Sequence, residues 1–430
     1  MAQVEQQATA EPRSLWRERD FSLVWSGALI SEMGDSVTSL ALALTAVLLL
    51  HADAFQLGAL RAASTAAFLL IALPAGVLVD RRRKRPVMLG ADLGRMLLIG
   101  SIPVAAALGM LTLLQLYLVA LAAGLLSVFF DVAYQSFVPV LVGRERLVEG
   151  NSKMGLPGSF ANVIGPSAAG GLIALAGAAR AMGADAGSFA VSATTLALLR
   201  TREPDPAPPA AKRRMAAEIA EGLRYVAGHR ILRRIVACTA TSNLFNGVWG
   251  SVLMLFLIDD LHAGASQIGL AFSLGSLGGL AGGFLAPWLA RRLGSARMLW
   301  MSKAGLGWLL LAIPLARPGW GLLLVSLGQF VGSISAMTYN VAQVSYRQSV
   351  TPPHLLGRMN ASVRWVIWGT IPVGALFGGW LGTVTSVRTT VLVGVLGSWL
   401  AVLWIVLSPL VKLREIPVPP ADVPDGDPLP

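Results

Sequence analysis

Charge is what this sequence has least of. Only 13% of its 430 residues are Asp, Glu, Lys or Arg, while 55% are hydrophobic. A water-soluble domain carries about 25% charged residues, so this chain cannot cover a globule of its size with polar surface and reads as an integral membrane protein. A single cysteine, Cys238, leaves no intramolecular disulfide and no multi-thiolate metal site. The four histidines, His51, His229, His262 and His354, sit in or beside loops at scattered spacing, so no metal centre is expected. A phosphate-cradling glycine loop, a metal-ligand set and a serine elbow are all missing, which excludes ATP-driven transport and hydrolysis by those devices; no cofactor is implied. Nor is a cleavable signal peptide expected. Residues 1–20 are polar, and the first apolar run is far longer than a signal h-region, so the first helix is its own insertion signal.

What the sequence has in excess is long apolar runs. A membrane-spanning helix needs about 20 predominantly apolar residues, and twelve segments qualify: 21–50, 55–79, 87–111, 116–140, 154–177, 182–199, 235–258, 267–290, 298–316, 320–346, 361–384 and 389–411. The formal charge of +11 resides in the short gaps between them, which points to the inner membrane face and not to nucleic acid. Alternate gaps hold 29 of the 34 Lys and Arg residues. Lys and Arg resist translocation, so this asymmetry predicts both termini in the cytoplasm. The strongest single signal is the stretch Gly76 to Arg85, where Arg81 to Arg85 form five consecutive cations between two spans.

The longest connection divides the runs six and six. It predicts a cytoplasmic tail over 1–20, a six-helix bundle over 21–199, a cytoplasmic linker over 200–234, a second six-helix bundle over 235–411 and a disordered, proline-rich tail over 412–430. Within the linker a stiff Pro-rich spacer precedes Met215, Ile219, Leu223 and Val226. Their three- to four-residue spacing predicts an amphipathic helix along the inner surface. The halves are related: Asp131-Val132-Ala133-Tyr134-Gln135-Ser136 closes the fourth run, and Asn340-Val341-Ala342-Gln343-Val344-Ser345 lies at the matching place in the tenth. The fold expected is therefore an all-α membrane protein of twelve transmembrane helices in two pseudo-symmetric six-helix bundles, with a binding site near the midplane.

At these residues the chain resembles the major facilitator superfamily. Gly76, Asp80 and Arg81 match its signature Gly-x-x-x-Asp-Arg-x-Gly-Arg-Arg/Lys, with Arg83 in place of the glycine and Lys84 in place of the following arginine. Ala91-Asp92-Leu93-Gly94-Arg95, Phe129-Phe130-Asp131-Val132-Ala133-Tyr134, Asp185-Ala186-Gly187-Ser188-Phe189 and Glu221-Gly222-Leu223-Arg224-Tyr225 are similar to its drug/proton antiporters of macrolide-efflux and enterobactin-exporter type. Gly165-Pro166-Ser167-Ala168-Ala169-Gly170-Gly171 resembles the antiporter signature Gly-Pro-x-x-Gly-Gly, with Ala169 at the first later glycine. The basic residue that the family carries in helix four is absent.

Physical reasoning singles out further residues. Glu32 and Asp35, three apart, share a helix face within the first run. An intramembrane carboxylate costs about 2.5–3.5 kcal/mol to insert, so the pair is expected to line a water-filled cavity and to exchange protons there. Asp80 and Arg81 are expected to latch the cytoplasmic gate, with Asp92, Arg95 and Asp131 as a buried ion-pair group beside it. Gly165, Pro166 and Gly170 read as a hinge in the fifth helix. In the second half only neutral groups are expected to face inward: Asn243, Asn246, Trp249, Gln329, Tyr339, Asn340 and Gln343. An acidic pair opposite aromatics and amides suits bulky amphiphilic or cationic molecules.

The sequence thus predicts a monomeric, proton-coupled exporter in the inner membrane, not an enzyme, whose partners are a small-molecule substrate, protons and the bilayer. Two alternatives stay open. A proton symporter for uptake of a small metabolite would place charged residues in both halves of the cavity, and a non-transporting sensor or scaffold would carry a large cytoplasmic domain.

Overall fold

The computed structural model describes residues 14–203, 215–352, 355–412 and 414–415. The tail ahead of Ser14, the Pro-rich spacer 204–214 and the C-terminal residues 416–430 lie outside it. Among the described residues every regular element is helical. The first half comprises α1 (Arg19–Leu48), α2 (Ala54–Asp80), α3 (Lys84–Ala107), α4 (Leu113–Val142), the short α5 (Leu147–Met154), α6 (Leu156–Ala176) and α7 (Ala178–Ala197). After α8 (Met215–Gly228) in the linker, the second half comprises α9 (Arg230–Leu255), α10 (Ala265–Leu293), α11 (Ser295–Met301), α12 (Gly321–Val350), α13 (Leu356–Val384), α14 (Val387–Leu400) and α15 (Leu403–Val406). The ninth span is composite: α11 continues through a π-helical turn, Ser302–Leu306, into a 3-10 stretch, Gly307–Leu315. With α14 and α15 forming one span, each half contains six.

Among the described residues ten segments are long and apolar enough by themselves to cross a bilayer. The remaining two spans, α1 and α7, carry Glu32, Asp35 and Asp185 along with many Ser, Thr and Gly residues, and they pack lengthwise against each other. Asp185 is buried, while Asp35 and Ser39 face the space between the halves. Equivalent helices pair in each half: α1 with α6 and α7 matches α9 with α13 and α14, and α2 with α4 matches α10 with α12. Small residues set these distances. Gly278 lies against the backbone of Phe330 and Gly282 against that of Ile334, so α10 and α12 touch almost backbone to backbone.

The halves meet along α2 with α13 and along α6 with α10. A Cβ on Gly58 would stand 2.6 Å from the Ala375 carbonyl oxygen and 2.8 Å from Gly379 Cα, and one on Gly170 would stand 3.1 Å from Gly269 Cα. Ser167 N–H donates to Ser273 Oγ at 2.9 Å. All these contacts lie toward the helix ends opposite the basic loops. The molecule is sealed there, and the interbundle space faces the basic end.

At that basic end the loops are tied down by charge. The Glu203 carboxylate accepts the first amides of α3, from Lys84 and Arg85, at 2.5 Å each. The Asp20 carboxylate accepts from the amides of Arg200 and Thr201 at 2.9 and 2.7 Å. Arg146 and Lys153 pair with Glu18 and Glu149 at 2.5 and 2.6 Å. The linker helix differs from the surface-lying element the sequence predicts. Its C-terminal half docks on protein: Glu221 pairs with Arg358 at 2.6 Å, Tyr225 Oη donates to the Val350 carbonyl at 2.8 Å, and Val226 is buried. The first residues of the predicted disordered tail are also bound, since the Arg414 carbonyl accepts from Ala296 N–H at 3.2 Å.

Candidate functional site

A cavity of about 540 Å³ lies between the bundles. The first half lines it with Asp35, Thr38 and Ser39 from α1, Arg61, Ser64 and Thr65 from α2, Arg95 from α3 and Asp185 from α7; the second half supplies Asn246, Trp249, Gly250 and Gln329. A smaller chamber of about 280 Å³ extends into the second bundle, lined by Ser242, Asn243, Lys303 and Trp399. Asn246, Trp249 and Gln329 border both spaces and partition them.

Local sequence explains the acidic wall. Gly34 removes the side chain where α1 crosses α7; a Cβ there would collide with Ser188 Oγ and Asp185 Oδ1. This approach brings Asp185 up to the Asp35 side of the cavity. Asp35 and Asp185 both line this cavity. Ser188 Oγ donates to Asp185 Oδ1 at 3.0 Å, and Asp185 Oδ2 has no partner. Beneath the acids Arg95 is fully packed. It pairs with Asp92, its guanidinium lies 4.6 Å from the Phe130 ring centre and 4.3 Å from that of Phe189, and Ser192 Oγ holds the far Asp92 oxygen at 2.7 Å.

The residues singled out by sequence separate into three groups. Asp35, Asn243, Asn246, Trp249 and Gln329 line the two chambers. Glu32, although one helix turn from Asp35, is turned toward Gly158 of α6 and lies outside both chambers. Tyr339, Asn340 and Gln343 also lie outside them. Tyr339 is buried, its hydroxyl bonded to Thr239 Oγ1 at 2.8 Å, and Gln343 Nε2 donates to Asn340 Oδ1 at 2.8 Å. Asp92 and Arg95 bind each other inside the first bundle and not across the halves. Asp131 is exposed on α4, Arg81 is exposed at the end of α2, and the Asp80 side chain lies outside the described residues. In the fifth span Gly165 packs on Ser36, while Pro166 and Gly170 face Gly269 across the interbundle seam. Their observed contacts are those of close packing.

Three charged side chains that line the chambers escape sequence reasoning. Asp185 sits inside a span, and its insertion cost was the available signal. Arg61 lies in the second run, and the structure puts its guanidinium in the cavity, 3.1 Å from where Gly250 would carry a Cβ. Lys303 falls at the edge of the ninth run, where it reads as part of a basic loop. Instead the π-helical turn carries it into the small chamber, where Nζ donates to Ser242 Oγ and lies 5.0 Å above the Tyr339 ring. The expectation of only neutral inward groups in the second half is therefore corrected, and with it the preference for cationic substrates.

A model of the transmembrane secretion effector family matches residues 11–425. The chain belongs to this family of the major facilitator superfamily. It is thus a multi-pass membrane transporter of small molecules, not an enzyme, and the scaffold reading is set aside. Over 360 residues it is 29% identical to the enterobactin exporter EntS of Citrobacter koseri, covering 82% of this chain and 83% of that one. It is 26% identical over 404 residues to the multidrug efflux pump Tap of Mycolicibacterium fortuitum, covering 92% and 96% respectively. Among solved structures, a bacterial homologue of the iron transporter ferroportin in its inward-facing state shares the fold, with a TM-score of 0.68 at 19% identity over 90% of this transporter and 98% of that chain.

Proposed function

We propose that this transporter exports a small amphiphilic molecule, a drug or siderophore-like metabolite, in exchange for protons by alternating access. It works as a monomer in the inner membrane with both termini cytoplasmic, an orientation supported by the basic loops at one end. The observation that carries this reading is the paired carboxyls of Asp35 and Asp185 on the wall of a cavity sealed at the end opposite those loops. Two carboxyls within the spans that line one cavity, with no hydrogen-bond partner on Asp185 Oδ2 among the described residues, form a place where a proton can be held and released. The full-length relatives named above as exporters support the direction.

Substrate enters from the basic end, past the partition at Asn246, Trp249 and Gln329. Proton occupancy of the carboxyl pair changes the charge next to Arg95, and the halves rock about the α2–α13 and α6–α10 seams. Gly165, Pro166 and Gly170 supply closeness at one seam and serve as its hinge; Asp80 and Arg81 close the basic end in the alternate state. Energy comes from the proton gradient, about 2.3 kcal/mol per charge for each 100 mV.

The test is accumulation of a chemically varied fluorescent and antibiotic panel in pump-deficient cells, with and without a protonophore, comparing wild type with Asp35→Asn. Lowered accumulation that both treatments abolish supports proton-coupled export. Raised accumulation turns the direction to uptake, the second reading, which Lys303 favours by placing charge in both halves of the cavity.

A further inference from the structure

We propose that the partition between the two chambers is a recognition site for an acidic group on an amphiphilic aromatic substrate, with Lys303 and Arg61 as its two cationic anchors. The inference deepens the export reading and rests on it for the direction of movement; the binding it describes stands separately.

Among the described residues neither cation has a counter-ion. Lys303 has Ser242 Oγ and the Tyr339 ring as its neighbours, and the described acids of the second half lie elsewhere: Glu221 on Arg358, Asp259 and Asp260 just beyond the far end of α9, and Glu415 exposed in the tail. Arg61 makes no side-chain hydrogen bond or ion pair among the described residues, and its Nε is buried without a partner. A buried cation with no counter-charge costs several kcal/mol, and a bound anion removes that cost. Asp35 and Asp185 line the same cavity as Arg61, but among the described residues neither forms an ion pair with it.

The other unsatisfied groups at the partition are also donors. Trp249 Nε1 and Gln329 Nε2 are both buried without an acceptor. With Arg61 Nε and the Lys303 ammonium they form a set that asks for oxygen acceptors, preferably charged. One face of α9 joins the anchors: Ser242 touches Lys303, Asn246 and Trp249 follow, and Gly250 touches Arg61. Eight residues of helix put the two ends about 12 Å apart. That is the span of an aromatic acid with a second acceptor at its far side, and Trp249 and Trp399 supply flat apolar surface along the way. The backbone adds support, since Lys303 projects from a π-helical turn followed by an unusually long 3-10 run, an irregularity that clusters at functional sites.

The experiment measures fluorescence anisotropy of 5-carboxyfluorescein, an aromatic anion, and of rhodamine 6G, an aromatic cation, with purified protein in detergent. Wild type is expected to bind carboxyfluorescein the more tightly. Lys303→Gln and Arg61→Gln should each weaken it roughly 10- to 100-fold, the worth of one charge-assisted hydrogen bond, while Lys303→Arg, which keeps the charge, should weaken it less than Lys303→Gln does. Rhodamine binding should be unchanged or tighter in the Gln variants. Gel filtration certifies that each variant is folded. The inference is overturned by tighter rhodamine than carboxyfluorescein binding in wild type, by no carboxyfluorescein binding to folded wild type, or by an unaltered affinity in folded Lys303→Gln. Failure of export alone would appear in the accumulation assay and leave these affinities in place.

Discussion

Closing the interbundle seam depends on a missing side chain at Gly58, and restoring it should drive the transporter out of its present state. In Gly58→Ala the added methyl stands 2.6 Å from the Ala375 carbonyl oxygen and 2.8 Å from Gly379 Cα, where ordinary contacts are 3.4–4 Å. Both neighbours are backbone and cannot rotate away, so α2 and α13 must part by about 0.8 Å. Overpacking of this kind costs about 1–3 kcal/mol. The penalty applies only while the seam is shut, so the population facing the basic end should fall about 5- to 150-fold against the alternate state. The assay is maleimide labelling of Ser39→Cys, a position exposed on the cavity wall, with reagent supplied to the basic end in everted vesicles. The buried Cys238 of the unsubstituted protein is the blank. Gly171→Ala is the control, because a Cβ there meets nothing within 4 Å. Labelling in folded Gly58→Ala that stays within twofold of the control would refute the reasoning.

Further consequences are equally direct. Asp185→Asn should abolish protonophore-sensitive export as completely as Asp35→Asn does, since the two share one site, whereas Glu32→Gln should reduce it less than threefold; efflux rates in energised cells decide this. Asp92→Asn should leave Arg95 buried beside two rings without its charge partner, a loss of about 3–5 kcal/mol visible as a collapse in monodisperse yield, and the Asp92→Leu, Arg95→Met pair should recover yield without recovering transport. Glu203→Gln should weaken the cap on α3 by about 1 kcal/mol, read as a melting temperature lowered by a few degrees in detergent.

How far the sequence carried depends on whether a feature answers to the bilayer or to a neighbouring helix. Spans are legible because the bilayer imposes a length and a polarity on every segment separately. Thus 55–79 reads as Ala54–Asp80 and 361–384 as Leu356–Val384, each within a few residues. Asp35 was legible for the same reason, as an acid in a segment that should have none. Glu32 and Asp35 looked alike by that criterion, yet rotation of α1 against α6 and α7 sends one toward Gly158 and the other into the cavity. Periodicity states which residues share a helix face but not which neighbour that face will meet. Lys303 shows the complementary failure: it lies within the run 298–316 but was counted with the basic loop before it, because nothing in composition announces a π-helical turn that draws a cation inward.

By itself the amino-acid sequence determined that the chain crosses the membrane, how many times, where it divides in two, and that an acid lies within the first span. Transfer of single segments from water to lipid governs each of those properties, and a segment carries that free energy wherever it packs. Only the tertiary structure decided that Asp185 joins Asp35 in one cavity, that Arg61 and Lys303 stand on either side of Trp249 without an ion pair among the described residues, and that the seam closes opposite the basic loops. These depend on contacts between residues scores of positions apart, set by glycines whose effect exists only when a second helix lies against them.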